Sequence, residues 1–365
     1  MIPLFTVAMS EAVSSPLLET IHSGWIGQGP KVKKFEEELS KKFNNPYCLS
    51  LSAGTHGLSL ALRLANVGPG DEVITTPLTC TATNMPILNA RAKIVWADIK
   101  EDLCVSPESI KDSITEKTKA IMVVHWGGYP CDMDEIYGIS RDCNIPVIED
   151  AAHCYGSVYR DSIIGDCSYS DFVMMSFQAI KPLTCVDGGA LFMRRLKDYS
   201  RGKLLRWYGI DREGVRTDFR CEEDIKEGGD KWHMNDVCAT VGLANMALAE
   251  DNVEKVRSNA RYYDRELSEV DGITITQNAP DRWSSYWLYT ILVEKRADFC
   301  TMMATRGISV SRVHERNDKH TCFKDFQKDL PMLEEVMESY ICIPVGWWVS
   351  KEDREYIIKC IKEGW

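Results

Sequence analysis

Short apolar runs rich in β-branched residues alternate with stretches of helical spacing over the first half of the chain. The runs cover residues 47–51, 72–76, 93–97, 119–125, 146–149, 171–177 and 190–193. Helix-like segments lie between them, for example 55–65 and 133–142. Apolar strands that do not alternate with polar residues and are separated by helices are typical of a buried, mostly parallel sheet. The pattern therefore predicts an α/β fold.

The pattern changes after about residue 242. Segment 243–267 predicts one long helix with charged residues, such as Glu250 and Glu254, on its exposed side. Further elements are predicted as a strand at 287–293, a helix at 297–306, a strand at 308–313 and a terminal helix at 352–363. A chain of this length usually exceeds one hydrophobic core. We therefore expect a large domain over 1–245, with an N-terminal arm over about 1–25, and a smaller α+β domain over 246–365.

Composition narrows the class of protein. The 43 Lys and Arg against 54 Asp and Glu give a net charge of −11 at pH 7, which argues against a nucleic-acid-binding surface. The charged fraction of 27% and the hydrophobic fraction of 44% are those of a globular protein rather than a disordered one. The chain lacks both an 18-residue apolar stretch and a signal-peptide pattern, so we expect a cytoplasmic protein without a membrane span.

Cysteine and histidine spacing points away from a disulfide framework and a metal site. The 14 Cys are spread singly along a long chain without a C-x-x-C pair, whereas a disulfide scaffold is short and dense in cysteine. The 7 His and these cysteines match no common zinc spacing. We therefore expect free thiols and no metal.

Four segments fall at or near the carboxyl ends of predicted strands, the edge where open α/β sheets bind ligands. They cover residues 52–57, 147–153, 174–189 and 229–236. In the first, Gly54 and Thr55 open a helix whose backbone N–H groups can approach a phosphate, and the alternative is an ordinary helix capped near Thr55. In the second, Asp150 follows an apolar strand and can hold a heterocyclic nitrogen protonated, and the alternative is a helix cap.

The third segment contains Lys181. A lysine after a buried strand is most often a solvated loop residue, but a lysine held among apolar neighbours has a disfavoured ammonium and a nucleophilic amine. Such an amine suits Schiff-base chemistry. Gly188 and Gly189 permit a sharp turn into the next strand. The fourth segment contains Lys231, and its alternative is a simple capping region before the long helix.

Taken together, these segments resemble the DegT/DnrJ/EryC1/StrS family of sugar aminotransferases, which use pyridoxal 5'-phosphate (PLP). The most specific parts are E-D-A-A-H at 149–153 and S-F-Q-A-I-K at 176–181, followed by G-G at 188–189. The resemblance extends over nearly the whole chain. It implies PLP-transferase fold type I, in which a three-layer α/β/α domain with a mostly parallel central sheet is joined to a smaller α+β domain.

The resemblance also implies roles for single residues. Lys181 matches the lysine that forms the internal aldimine with PLP, and Asp150 matches the carboxylate that faces the pyridine nitrogen. His153 matches the His or Gln beside the ring oxygen, while Gln178 stands where many members have His or Tyr. The phosphate is expected to contact Gly54, Thr55 and Ser176.

Two positions depart from the family pattern. Members usually carry an aromatic residue over the PLP ring, and Cys80 stands at about that place here. Many members also reach the phosphate with an Asn from the second subunit, and the matching position here is Lys231, which can act as a point charge. This match implies a homodimer whose subunits share their active sites.

The implied reaction is a PLP-dependent transamination. Glutamate donates an amino group, pyridoxamine phosphate (PMP) carries it, and a nucleotide-linked keto-sugar accepts it. The acceptor is an NDP-4-keto-6-deoxy-sugar or an NDP-3-keto-sugar, and the product serves amino-sugar and polysaccharide biosynthesis. The acceptor's diphosphate needs cationic partners, for which we nominate Arg312, His314 and Arg316. The alternative for this run is a solvated charged loop.

Three other functions are open at this point. A PLP-dependent sugar dehydratase has the same fold, but it replaces the lysine with His, and Lys181 argues against it. A non-catalytic PLP-binding sensor on this scaffold is disfavoured by the complete pair of Asp150 and Lys181. A thiol hydrolase using Cys154 and His153 is disfavoured because adjacent residues rarely face each other as nucleophile and base.

Overall fold

A computed structural model describes residues 1–214, 218 and 224–365. Its β-structure consists mainly of short strands, and those of the central sheet follow the apolar runs of the sequence. The strands of the described residues are β1 (Cys48–Leu51), β2 (Glu72–Thr75), β3 (Lys93–Trp96), β4 (Thr118–Val124), β5 (Val147–Asp150), β6 (Val158–Tyr159), β7 (Ser162–Ile163), β8 (Phe172–Ser176), β9 (Gly189–Met193), β10 (Ile273–Thr274), β11 (Arg282–Trp283), β12 (Tyr289–Val293) and β13 (Tyr340–Ile343).

Helices fill most of the connections between these strands. The α-helices of the described residues are α1 (Ser14–His22), α2 (Pro30–Lys42), α3 (Gly54–Leu64), α4 (Thr81–Asn89), α5 (Pro107–Asp112), α6 (Met133–Cys143), α7 (Leu196–Leu205), α8 (Asp236–Leu267), α9 (Arg296–Thr305), α10 (Pro331–Ser339) and α11 (Lys351–Lys362). Side-chain caps fix three of the described α-helix starts, one of them at α5, where Ser106 accepts the N–H of Ser109. Asn235 accepts the N–H of Cys238 at the start of α8, and Ser350 forms a capping box with Asp353 at the start of α11.

The central sheet has seven strands within the described residues, in the order β1-β9-β8-β5-β4-β2-β3. All neighbours from β8 to β3 pair in parallel, and β9 is antiparallel to both β8 and β1. Six strands therefore point the same way. Every residue of β1, β2, β5 and β9 is buried, so both faces of the sheet are covered. The prediction of a mostly parallel α/β sheet is confirmed.

Two hydrophobic clusters divide the buried side chains. The larger one surrounds the central sheet, and the smaller one lies around β12, β13 and α11. Helix α8 runs through both, because Ala249 and Val253 pack in the first cluster and Val256 and Ala260 in the second. The expected domain boundary at 245/246 falls inside this helix, and the division into two domains stays a prediction.

The predicted strand at 308–313 is wrong. The backbone there makes only isolated bridges, from Ile308 to Ile2 and from Ser311 to Cys342. Val313 has φ of +66°, outside the extended region, so the segment cannot continue as a strand. The other predicted elements of this half are present, with α8 starting earlier than expected at Asp236. Over the described ranges, no helix combines the length and apolarity needed to cross a membrane.

Candidate active site

A cavity of about 360 Å³ lies at the carboxyl ends of the parallel strands, where the sequence placed its candidate residues. The candidates reach it from several strands and loops. Asp150 ends β5, Ser176 ends β8, and Lys181 follows β8. The predicted residues that line this cavity are Gly54, Thr55, Cys80, Asp150, His153, Ser176, Gln178, Lys181 and His314.

Asp150 is the buried carboxylate of the cavity. It is 5% exposed, and its Oδ1 accepts the backbone N–H of Ala152 at 3.1 Å while its Oδ2 accepts the hydroxyl of Thr83 at 2.6 Å. Burial raises the pKa of Asp150, and the two hydrogen bonds together with the charge of Lys181 oppose this rise. The alternative reading of Asp150 as a helix cap is wrong, because residues 151–153 form a turn rather than a helix start.

The neighbouring carboxylate, Glu149, does not line the cavity. Successive side chains of a strand point to opposite faces, so Glu149 points away from the face that Asp150 takes. Its Oε2 lies 2.7 Å from Nε2 of His125, and both residues are buried. Since Nδ1 of His125 accepts the backbone N–H of Cys131, Nε2 is the nitrogen that carries the proton toward Glu149.

Lys181 is a buried amine in a largely apolar setting. It is 8% exposed, and burial lowers its pKa to about 8, with the charge of Asp150 acting in the opposite direction. An amine with this pKa is neutral in a substantial fraction of molecules near pH 8 and can act as a nucleophile or a base. The alternative of a solvated loop lysine is therefore wrong.

The start of α3 forms a corner whose backbone N–H groups suit an anion. The helix begins at Gly54, and its N-cap residue Ala53 provides no side-chain hydrogen bond, so the first N–H groups remain available. The alternative of an ordinary helix capped by a side chain near Thr55 is therefore wrong. A Cβ on Gly54 would meet Cβ of Ser176 at 3.2 Å, and one on Gly189 would meet the backbone of Gly54 at 2.7 Å. The glycines thus let β8, β9 and the helix start approach one another.

Two histidines and a tryptophan also line the cavity. The ring of His153 stacks on Trp287 with centroids 3.8 Å apart and planes inclined by 18°, and His314 lies parallel to His153 at 6.1 Å. Burial lowers the pKa of His153 well below its usual value and that of His314 to about 4. Both rings are therefore neutral near pH 7. Nδ1 of His153 and Nε2 of His314 are buried without a hydrogen-bond partner among the described residues.

The structure does not bring every nominated residue to this cavity. Lys231 is exposed and lies beside Trp207. Arg312 pairs with Glu315 at 2.6 Å. Arg316 is 2% exposed and bonded to Asp318 and Glu334, an arrangement that favours a structural role. The expected roles of these three side chains in binding stay predictions.

Sequence reasoning did not single out several residues of the cavity, among them Thr83 and Trp287. Thr83 carried a weak signal, since it lies four positions after Thr79 in a segment that follows β2, and both are buried. Trp287 carried none, because it precedes a strand of the smaller cluster and reaches Lys181 only through the tertiary fold.

The fold and the buried pair of Lys181 and Asp150 define a PLP-dependent aminotransferase of fold type I. The family model of the DegT/DnrJ/EryC1/StrS aminotransferases matches residues 8–362, and the chain belongs to this family. A curated relative, the UDP-4-amino-4-deoxy-L-arabinose–oxoglutarate aminotransferase of Shewanella sediminis, is 35% identical over 277 residues, which are 75% of this chain and 71% of that protein.

Solved structures agree with this assignment. AtS13 from Actinomadura melliaura has a TM-score of 0.96 at 40% identity, with 100% of this chain and 99% of that chain covered. The sugar aminotransferase CalS13 from Micromonospora echinospora has a TM-score of 0.95 at 36% identity, with both chains fully covered at 100%. The putative sugar aminotransferase Spr1654 from Streptococcus pneumoniae, solved in a PMP form, has a TM-score of 0.91 at 27% identity, with 100% and 98% covered.

The residues of the cavity fit PLP, the cofactor that the family implies. The corner at Gly54 suits a phosphate, and Lys181 supplies a buried amine for an aldehyde. The buried carboxylate of Asp150 suits a protonated ring nitrogen, and the unpartnered Nδ1 of His153 suits a polar ring substituent.

Proposed function

We propose that this aminotransferase moves an amino group from glutamate to the keto group of a nucleotide-linked sugar. The acceptor is an NDP-4-keto-6-deoxy-sugar or an NDP-3-keto-sugar, and the product enters amino-sugar and polysaccharide biosynthesis. One observation carries the proposal: the amine of Lys181 and the carboxylate of Asp150 are both buried at one cavity of the parallel sheet.

Bound PLP supplies an aldehyde that accepts and releases the amino group, and a ring that withdraws electrons. The chain's own residues would hold it from three sides. Backbone N–H groups of Gly54 and Thr55 and the hydroxyl of Ser176 bind the phosphate, with Gln178 beside them. Asp150 would hold the proton of the ring nitrogen, His153 would lie beside the ring oxygen, and Cys80 would take the place of a stacking aromatic residue.

Lys181 is the proton carrier of the proposed reaction. Its Nζ takes the proton from the α-carbon of the amino donor and returns a proton to the reacting centre, as a general base and then an acid. A pKa of about 8 suits both tasks at slightly alkaline pH, because both protonation states of the amine are populated there. The apolar lining limits competing contact with water.

The acceptor's sugar and diphosphate would lie toward His314, Arg312 and Arg316. Of these side chains, His314 lines the cavity. Arg312 forms a partly exposed ion pair with Glu315, which it could exchange at low cost for an ion pair with a phosphate. Arg316 would have to give up its ion pairs with Asp318 and Glu334, so of the three side chains it is the least suited to bind a phosphate.

We further propose a homodimer in which Lys231 of one subunit reaches the phosphate in the other. Support comes from large apolar side chains left exposed near the N-terminus and beside the site, which a second copy would cover. They are Leu18, Ile21, Trp25, Ile26 and Val186, each at least 49% exposed. The cytoplasmic location expected from the sequence stays a prediction, which fractionation of cells would test.

The decisive experiment is a screen of nucleotide keto-sugars against the glutamate-loaded protein. Glutamate should convert the bound cofactor to its amine form, and the right keto-sugar should reverse that change with release of an aminated sugar nucleotide. Borohydride should attach the cofactor to Lys181. A protein that binds PLP but responds to no amino donor would favour the sensor, and loss of a hydroxyl without amino transfer would favour the dehydratase.

A further inference from the structure

The amine of Lys181 lies against the face of an aromatic ring. Its Nζ is 3.6 Å from the ring centroid of Trp287. Both residues are 8% exposed, and within the described part of the chain Nζ makes no hydrogen bond or ion pair. An ammonium held over an aromatic face is stabilised by the negative charge of the ring's face, and the effect is larger when water is excluded.

Trp287 is fixed by its own contacts. Its Nε1–H donates to the backbone carbonyl of Ile180 at 3.1 Å, the residue just before Lys181. Its ring stacks on His153 at 3.8 Å and on Phe5 at 5.0 Å. Because the hydrogen bond ties the indole to the backbone beside Lys181, the ring stays in place when the lysine side chain moves.

We propose that Trp287 is a positioning residue whose indole face holds the free amine of Lys181 and stabilises its protonated form whenever that amine is not bonded to the cofactor. During turnover this contact would keep Nζ at the reacting centre from the time the amine separates from the cofactor until the two bond again. This role in turnover rests on the proposed transamination. The contact between Trp287 and Lys181 in the cofactor-free protein does not rest on it, so the role and the contact can be tested separately.

The other groups that face Nζ can be distinguished from Trp287. Asp150 at the end of β5 favours the ammonium. The thiols facing it are Cys80, at the start of α4, and Cys154, in the turn after β5. His153 in the same turn and His314 in the segment after α9 are neutral near pH 7, because burial lowers both of their pKa values. Substituting Trp287 changes none of these charges, and a loss of burial alone would raise the pKa of Lys181, so a lowered pKa would report the loss of the ring face.

The test follows PLP uptake by cofactor-free protein as a function of pH, since only the neutral amine attacks an aldehyde. The native protein should show a midpoint near 8. Trp287→Leu, which keeps bulk but loses the ring face, should lower the midpoint by about one pH unit, whereas Trp287→Phe should stay close to the native value. Trp283→Leu, at an exposed position 56% accessible, is the matched control and should not shift it.

An unchanged midpoint in Trp287→Leu, or equal shifts in the Leu and Phe variants, would overturn the proposal. If the substitutions impair folding, tryptophan fluorescence of the cofactor-free native protein decides. It should change as Lys181 titrates, and Lys181→Met should abolish that transition, whereas its persistence would refute the contact. If the protein takes up no PLP, the proposed function is contradicted. The role of Trp287 can still be tested in that case, because the fluorescence titration is made on the cofactor-free protein.

Discussion

Thr83 donates a hydrogen bond from Oγ1 to Oδ2 of Asp150 across 2.6 Å. Thr79 lies 2.7 Å from Thr83 and must donate to it, because the Thr83 hydrogen is already given to the carboxylate. Both threonines are buried. This short chain of hydroxyls orients Asp150 and opposes the rise in its pKa that burial causes.

We predict that Thr83→Val slows turnover by about 10- to 100-fold, since a hydrogen bond to a charged group is lost at nearly constant volume. The pKa of Asp150 should rise in this variant. As the pH is lowered, the variant should therefore lose activity at a higher pH than the native enzyme does. Thr83→Ser keeps the hydroxyl and should restore the native profile. Thr81→Val, at an exposed position of the same helix, serves as control, and equal losses at both positions would contradict the role of Thr83.

Asp150→Asn should keep the fold but lose roughly 10²- to 10³-fold in turnover. The amide is nearly isosteric, but its single oxygen can keep only one of the hydrogen bonds from Ala152 and Thr83, and it has no negative charge to hold a proton on a ring nitrogen. Steady-state rates with glutamate, together with the absorbance of the bound cofactor, measure the effect. Native turnover in this variant would exclude the assigned role of the carboxylate.

Gly189→Ala should be destabilising by about 1–3 kcal/mol and should weaken cofactor retention. A Cβ there would meet the backbone of Gly54 at 2.7 Å, which must move the helix start away from β9. Urea unfolding and PLP titration measure the two effects. Gly138→Ala is the control, because its Cβ meets nothing within 4 Å and alanine favours the helix. Equal stability of both variants would contradict the close approach.

Acid should destabilise the protein through His314. Its folded pKa is lowered to about 4 from the usual 6.5, so the unfolded chain binds the proton more readily between these values. Stability is therefore retained above about pH 6.5 and falls as the pH drops toward 4. His314→Phe keeps an aromatic ring against Trp126 and removes the titration, so its melting temperature should fall less between pH 7 and 5. If the melting temperature of His314→Phe depends on pH as steeply as that of the native protein, His314 is not the cause of the acid sensitivity.

The central sheet and the two main site residues were predictable because both follow from local pattern. Strands buried on both faces are continuous apolar runs, and Asp150 and Lys181 lie where such runs end. The contacts that tune these residues were not predictable. The hydrogen bond from Trp287 to Ile180 joins residues 107 positions apart, and that from Thr83 to Asp150 joins residues 67 positions apart. Contacts between residues so far apart in the sequence cannot be predicted from local pattern.

The wrong strand at 308–313 has a related cause. Its β-branched residues Ile308, Val310 and Val313 predict a strand, but the partners that the segment meets are Ile2 and Cys342, from opposite ends of the chain. Each supplies only one bridge, and the positive φ of Val313 ends any ladder there. Strand propensity without a continuous partner leaves isolated bridges.

Lys231 provides a test of shared active sites. Lys231→Ala should bind PLP more weakly than the native protein if its ammonium contacts the phosphate from a neighbouring subunit. Equilibrium dialysis with PLP measures this, and Lys226→Ala, a lysine on the same exposed segment, is the control. Native affinity in Lys231→Ala would count against the contact.

Mixing subunits separates a shared site from a self-contained one. Lys181→Ala and Lys231→Ala subunits are each expected to be impaired at limiting PLP. In a mixed dimer with shared sites, one site combines the intact Lys181 of one chain with the intact Lys231 of the other. Random exchange should then recover about a quarter of native activity. If each subunit uses its own Lys231, mixing should give only the average of the two parent activities, and the proposed contribution of the partner would be excluded.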